Sequence, residues 1–501
     1  MSARRLYGTV AACAVVVYLG ALWNRFAWDD TFIVVHNDLV NSASGWWRAF
    51  AQPYWPPAIG GGMYRPLTLA TYVLDWHLGG AALFHAVNIV WHAAASLLVA
   101  QLVRRWAGEA AALTAGVVFA VHPVHVEAVA NVVGRAELMA TTFTLLAVYA
   151  AVERQSVAWT TVCWILGLVS KETAVVAPAL IAAVWVIDPA HPAPPLRRLA
   201  LFIGCWIAAG VAYAVVRELV LSPYPGTLAT APAFWGQSPV AVRLTAVAAL
   251  ADVARLLVFP LTLRADYSPN ERTIVAMPLD GRLWVGLLCL ASWGLLLWLA
   301  WRRRRAVEAV GLAWIALAYA LVANLLFPIG VLIAERTLYL PSAGLAVAAG
   351  GLARALRGRP LTLLVAAVAL LGGALTALRV PVWRSDFRVT LSVLEDSPAS
   401  YVGPMRMAAV YLEEGKTAQA LDAARVAASI CPVVPRPFVL EAHAALKLHR
   451  PALADSLLER ADRLCNPCRG LYEAHIAAAR LAGDTAVADH LAAHLRRLNR
   501  P

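Results

Sequence analysis

Residues 361–380 read LTLLVAAVALLGGALTALRV, and nothing from Leu361 to Leu378 is charged. At ~1.5 Å per residue, about 20 apolar residues in a helix cross a hydrocarbon layer of ~30 Å. A core helix of a soluble domain would carry a polar face. This run offers only Thr362 and Thr376. It is preceded by Arg354, Arg357 and Arg359, and after Trp383 the chain becomes charged and rich in alanine. The stretch therefore reads as a membrane span that separates a basic side from a polar one.

Working outward, similar apolar runs occur at 6–26, 85–103, 109–121, 138–152, 156–169, 173–187, 199–221, 283–301, 307–328 and 343–356, which makes about 11 spans with 361–380. The composition agrees: 61% of the 501 residues are hydrophobic and 14% charged, against about 45–50% and about 25% in soluble domains. The 19 Trp suit the membrane–water interface. The fold class expected is all-α, a polytopic helical bundle. Arg4-Arg5 and the run after it resemble a signal peptide, but Trp23-Asn-Arg-Phe follows instead of a small-residue cleavage site, so a retained first helix is expected.

The net charge of +12 is clustered at Arg4-Arg5, Arg104-Arg105, Arg197-Arg198, Arg302 to Arg305 and Arg354 to Arg359. Each cluster abuts an apolar run, the pattern of a topology signal rather than of a nucleic-acid footprint. Placing them all in the cytoplasm requires that Val240 to Leu263, which holds Arg243, Asp252 and Arg255, lies re-entrant or interfacial. The expectation is an integral membrane protein with a cytoplasmic N-terminus and a periplasmic or extracellular C-terminus. Cys13, Cys163, Cys205 and Cys289 fall inside apolar runs. Cys431, Cys465 and Cys468 could form one disulfide outside the cytoplasm, with the pairing open.

Function then belongs to the outer loops, which are longer and hold the acids, His and Trp. Trp28-Asp29-Asp30 places two carboxylates at the end of a span, where one could take a proton from a hydroxyl and its neighbour could orient the acceptor or hold a divalent cation. Tyr64-Arg65-Pro66-Leu67-Thr68 offers a cation for a carboxylate or a phosphate, or a snorkelling side chain. His122, His125, Glu127, Arg135 and Glu137 put five ionisable groups into sixteen residues between two spans, which suits a polar cavity better than a metal site. Lys171-Glu172 and Glu335-Arg336 read as opposite-charge pairs; either could tie helices together, and Lys171 or Arg336 could neutralise a lipid-linked phosphate. No Walker loop, dinucleotide fingerprint or zinc-protease motif occurs.

Beyond Trp383, Pro432, Pro467 and Pro501 recur at about 34 residues, the period of tetratricopeptide (TPR) repeats. Val402 to Leu412 and Thr417 to Ser429 read as a helix pair, with Gly415 in the turn. The domains expected are 1–382 in the membrane (first outer loop 27–84), a linker 383–399, and a TPR-like α-solenoid over 400–501.

Taken in order, Trp28-Asp29-Asp30, Tyr64-Arg65-Pro66-Leu67-Thr68, Phe84-His85-Ala-Val-Asn88, His122-Pro-Val-His125-Val-Glu127, Gly134-Arg135-Ala-Glu137, Ser170-Lys171-Glu172, Asp266-Tyr267-Ser268, Glu335-Arg336-Thr-Leu-Tyr339-Leu-Pro-Ser342 and the repeat tail resemble the TMTC proteins, transmembrane TPR-containing O-mannosyltransferases, in a bacterial-looking form. The tail is shorter than in animal members. The resemblance implies a type C glycosyltransferase fold (GT-C) that takes sugar, mannose by this likeness, from a polyprenyl-phosphate donor on the non-cytoplasmic face. It implies an acceptor-directed role for Asp29 and Asp30, and makes Arg65, Arg135, Lys171 and Arg336 candidates for the donor phosphate, with Glu335 orienting Arg336. His122, His125, Glu127, Glu137, Glu172 and Glu335 support them. The expected partners are the lipid-linked sugar, membrane lipids and a hydroxyl-bearing protein acceptor held by the repeats, with no nucleic acid. No cofactor is indicated for certain, and a divalent metal at the acids stays open. The competing expectation is a non-catalytic membrane scaffold that presents the repeats to envelope proteins.

Overall fold

A computed structural model describes residues 2–57, 61–224, 230–267, 270–464, 469–481 and 483–498, and all regular structure among them is helical. The principal helices of the apolar part are α1 (Ala3–Val16), α2 (Pro66–Leu78), α3 (Ala81–Ala120), α4 (Arg135–Val152), α5 (Val157–Leu168), α6 (Ala177–Ile187), α7 (Leu196–Leu221), α8 (Pro239–Val258), α9 (Gly281–Arg302), α10 (Ala306–Ala320), α11 (Tyr339–Ala353) and α12 (Gly358–Arg379). Every apolar run read from the sequence falls on one of these. The runs 85–103 and 109–121 are the two arms of α3, which breaks at Gly108 with φ +85°, a value that glycine adopts without penalty.

Among the described residues, six helices are long and apolar enough to cross a bilayer, α3, α7, α9 and α12 among them, and α5, α6 and α10 are apolar but shorter. Their environments differ. The apolar window of α4 is 83% buried against other helices, whereas those of α7 and α12 are 11% buried. Leu201, Ile207, Val211 and Leu219 of α7 point away from the protein. Such a face is too apolar to leave in water, and hydrocarbon is its natural solvent. The chain is an integral membrane protein.

Where spans cross tightly, small residues permit it. A Cβ added to Gly311 of α10 would lie 2.5 Å from the Gly344 carbonyl oxygen of α11, and the reverse holds for Gly344. Two backbones in this contact gain dispersion energy that lipid cannot supply. Helix α8 keeps its acid neutralised, because Arg272 forks onto Asp252 at 2.7 and 2.8 Å.

The bundle has two polar ends. At one, Arg105 meets Glu153 at 3.0 Å, His191 meets Asp188 at 2.8 Å, and Arg198 reaches Gln155 at 3.1 Å. This gathers Arg104-Arg105 and the 188–198 loop as the charge pattern requires. Asp29, Arg65, Arg135, Lys171 and Arg336 lie toward the other end of the helices they begin or precede.

After α12 the chain continues as α13 (Asp386–Asp396) and three helix pairs: α14 (Val402–Glu413) with α15 (Thr417–Ile430), α16 (Pro435–Lys447) with α17 (Pro451–Leu464), and α18 (Arg469–Leu481) with α19 (Thr485–Leu498). The repeat is visible in its turns. Gly415, His449 and Gly483, 34 residues apart, all have left-handed φ of +72°, +56° and +76°. The next residue in each case returns its N–H to a carbonyl five residues back: Lys416 to Tyr411, Arg450 to Ala445, Asp484 to Ala479. Each unit thus ends its first helix with the same Schellman closure. Ala420, Ala424, Ala427, Ala442, Ala445, Ala454 and Ala461 are buried, so alanine sets the close helix spacing. Pro432 lies in an inter-repeat turn, and Pro467 and Pro501 fall outside the described residues. So do Cys465 and Cys468, while Cys431 is a buried free thiol.

Candidate functional site

The first outer loop separates the two acids that its sequence presents side by side. Asp30 is 1% exposed and accepts hydrogen bonds from the backbone N–H groups of Ala27 (3.0 Å), Val132 (3.4 Å) and Val133 (2.9 Å). It pins the loop to the 132–133 turn. Burial pushes its carboxyl up to about 7, against the pull of those donors. Asp29 is 28% exposed at its side chain and accepts no hydrogen bond among the described residues; its nearest cation is Arg406 at 3.8 Å. Trp28, just before it, holds a left-handed φ of +56°, an uncommon state for a bulky residue. It is kept there by its N–H bond to Asp386 (2.8 Å) and by its edge-to-face ring contact with Trp383 at 5.7 Å.

The charges behind this loop pair in a different order from the one their sequence neighbours suggest. Lys171 bonds Glu137, not Glu172. Glu172 instead takes a two-pronged bond from Arg65, at 3.0 and 2.5 Å. Arg336 bonds Glu127 through its backbone N–H (2.8 Å) and its guanidinium. The expectation that Glu335 orients Arg336 is therefore corrected. Glu335 accepts from the Arg264 N–H (2.6 Å) and the Tyr267 hydroxyl (2.9 Å). Adjacent residues in the short 3₁₀ turn Glu335–Leu338 project about 120° apart, so they serve different neighbours. Burial drives the Glu335 carboxyl up to about 8, although Arg379 acts to lower it.

Arg135 is wholly buried. It donates to Asn88 (2.8 Å), Thr71 (3.2 Å) and the Phe84 carbonyl (2.9 Å), and pairs with Asp75 at 2.5 Å. It ties α2, α3 and α4 together. His122 accepts from the Val124 N–H at Nδ1 and donates to the Leu257 carbonyl (2.9 Å), which fixes it neutral; burial pushes it down to about 4. His125 donates to the Ser342 hydroxyl (2.6 Å) and packs on the Tyr339 ring. His122 thus uses both ring nitrogens, whereas the Nδ1 of His125 is buried without a partner. Among the described residues, no three His, Cys, Asp or Glu side chains converge as a metal site needs. Asp30 spends its oxygens on N–H groups, and Asp29 faces a guanidinium, so the residues present do not fit a resident cation.

Several groups at the site escaped sequence reading: Asp386 and Trp383 after the last span, and Arg406 of α14. Ser397 and Ser400 extend this junction, donating to the Asp266 carbonyl (2.8 Å) and carboxylate (2.7 Å). The local signal was faint: Arg406 stands alone between the buried Met405 and Met407.

No family model matches the chain, and no solved structure matches it. Curated proteins do. Protein O-mannosyl-transferase F38B6.6 of Caenorhabditis elegans is 29% identical over 344 residues, 66% of this chain and 49% of its own length. Protein O-mannosyl-transferase TMTC4 of Homo sapiens is 26% identical over 457 residues, 77% of this chain and 61% of its own. Protein O-mannosyl-transferase Tmtc2 of Drosophila melanogaster is 38% identical over 135 residues, 25% and 14% of the two chains. The chain is a homologue of the TMTC proteins. It spans about half the length of the curated relatives it matches.

Proposed function

We propose that the chain is a membrane glycosyltransferase that moves a sugar, mannose by its kinship, from a polyprenyl-phosphate donor to a hydroxyl of a protein acceptor on the non-cytoplasmic face. Residues 1–382 form the catalytic bundle, 383–399 the linker and 400–501 the acceptor-holding repeats. The observation that carries the reading is the division of labour in the first loop. Asp30 is consumed by three backbone donors, which leaves Asp29 open and without a hydrogen bond. Asp29 is the base. It takes the proton of the acceptor hydroxyl as that oxygen bonds to the anomeric carbon from the side opposite the leaving phosphate, so the anomeric configuration inverts. The bond from the anomeric carbon to the phosphate oxygen breaks, and the polyprenyl phosphate leaves with the electron pair.

The charge that grows on the leaving oxygen needs a fixed cation. Arg336 serves best: its side chain is 27% exposed, Glu127 holds it in place, and Asp29 and Glu137 are close enough to raise its pKa after Glu127 does. Lys171 and Arg65 are each held by a carboxylate. Arg135 has no open donor side and is assigned to the scaffold.

The test is transfer in vitro from synthetic polyprenyl-phosphate mannose to a serine-containing peptide, with and without EDTA. Asp29→Asn should lose transfer by about 10²–10⁴-fold, the usual weight of a general base, while still inserting and folding. Full activity in both Asp29→Asn and Asp30→Asn would refute a base in this loop.

A further inference from the structure

Six of the guanidinium groups around the outer end are in use, although Arg379 leaves its Nε and one Nη buried without a partner. Arg65, Arg135, Arg264, Arg272, Arg336 and Arg379 each donate to a carboxylate, hydroxyl or carbonyl. Arg406 of α14 and Arg436 of α16 donate no hydrogen bond among the described residues. Arg406 lies over the Trp28 ring at 4.8 Å, and its two carboxylate neighbours, Asp29 and Asp386, both stand 3.8 Å away, beyond hydrogen-bond reach. Among the described residues, Arg436 has no carboxylate within ion-pair distance. The Nε of each is buried without a partner, and so is the indole Nε1 of Trp28, a residue 8% exposed. Unused donors on protein-enclosed groups are rare, because each forfeits the water it gave up. Arg406, 3.8 Å from Asp29, and Trp28, which precedes Asp29 in the chain, bring two of them to the first loop. Burial, and then the charge of Arg406, push the Arg436 guanidinium down to about 10.

We propose that Arg406 and Arg436 form a binding site for a carboxylate side chain of the acceptor polypeptide, near the hydroxyl that Asp29 deprotonates. This rests on the acceptor being a polypeptide and adds the chemistry that selects it. A guanidinium pair suits carboxylate or phosphate. Carboxylate is favoured for two reasons. The pair belongs to repeat helices, whereas a lipid-linked phosphate is tethered at the span ends, where Arg336, Lys171 and Arg65 stand. The flanking Asp29 and Asp386 also oppose a phosphate dianion more than a single carboxylate. The acceptor-holding surface and the base would then be one site, shared between the repeats and the first outer loop.

The experiment measures binding to the full-length protein in detergent, without donor. The probes are labelled serine nonapeptides carrying one Glu at each position from three before to three after the serine, each matched to its Gln counterpart. At least one Glu peptide should bind about tenfold tighter than its Gln partner, the weight of one charge-assisted hydrogen bond. Arg436→Gln and Arg406→Gln should remove that ratio, and Arg436→Lys should retain part of it, with unchanged elution and melting temperature as the check on folding. Equal binding of every Glu and Gln pair overturns the proposal, as does a ratio that survives both Gln variants. Inorganic phosphate displacing the peptide at lower concentration than acetate does would reassign the pair to phosphate and also overturn it. Because no transfer is measured, an inactive enzyme that still discriminates Glu from Gln would sink the glycosyltransferase reading alone.

Discussion

Arg135 is wholly buried and Arg436 is half-buried, and they are used in opposite ways. Arg135 aims its guanidinium at Asn88, Thr71, the Phe84 carbonyl and Asp75, and stacks over the Tyr72 ring at 4.9 Å. Arg436, on the repeat helix α16, donates no hydrogen bond among the described residues, and the charge of Arg406 opposes its own. A charge held within a helical bundle must be satisfied by the bundle itself. A charge at the meeting of two soluble elements can wait for something that arrives from solution. The difference separates groups that hold the fold from groups that await a ligand.

The sharpest way to break that contrast is to truncate one member of each class. Arg135→Ala leaves Asp75 buried without its cation and Asn88 without its donor, and should cost about 3–5 kcal/mol, as removal of one partner of a buried pair does. Insertion or thermal stability in detergent should collapse. Arg436→Gln should leave the melting temperature nearly unchanged. Equal losses from the two would erase the distinction.

Lys171 and Glu137 give the next largest effect. Their side chains are 10% and 3% exposed. Lys171→Met alone strands the Glu137 carboxylate and should destabilise by a few kcal/mol, whereas Lys171→Met with Glu137→Leu should recover most of the loss, because an apolar pair replaces an ion pair at little cost. Melting curves of the two singles and the double measure the coupling. Additive losses would mean that the pair does not interact as drawn.

Much of the bundle was legible because hydrophobic length is a one-dimensional property. The run 361–380 became α12, 199–221 lies within α7, and the spacing of basic clusters agrees with where Arg105, Glu153 and the 188–198 loop meet. The repeat was legible for a similar reason: Gly415 marked a turn, and the turn recurs. The wiring of the site was not legible. Lys171 sits beside Glu172 in sequence but bonds Glu137, 34 residues away, and Trp28 is held by Asp386, 358 residues away. Which carboxylate faces which cation depends on the relative rotation of helices, and no local pattern encodes that. The two acids of the first loop look equivalent as letters. Only the approach of the 132–133 backbone divides them.

Glu335 yields a smaller, pH-dependent effect. Its carboxyl is raised from an ordinary 4.5 to about 8 by burial, so the folded protein holds the proton more tightly than the unfolded chain does. Its presence costs nothing below about pH 4.5, then erodes stability progressively as pH climbs, and the erosion levels off above about pH 8. Glu335→Gln keeps an acceptor for the Arg264 N–H and the Tyr267 hydroxyl but cannot ionise. Its melting temperature relative to wild type should therefore improve steadily from pH 5 to pH 8. Two parallel curves over that range would show that the group does not titrate as its surroundings imply.

The smallest effect tests the repeats. His449 occupies the left-handed turn position that Gly415 and Gly483 hold in the other units, at φ +56°. A residue with a Cβ pays roughly 1 kcal/mol for that conformation, which glycine adopts freely. His449→Gly should therefore stabilise the middle unit by a few tenths to about 1 kcal/mol, offset in part by the greater freedom of glycine in the unfolded chain. Gly415→Ala, at the equivalent place, should destabilise by a similar amount, although a Cβ there would meet no atom within 4 Å. Opposite signs at two positions 34 residues apart would tie the energetics to the repeat and not to local packing. Both substitutions lie away from the arginine pair in the turns, so neither should alter discrimination between Glu and Gln peptides. A change in that ratio would show that the repeat turns and the acceptor site are coupled.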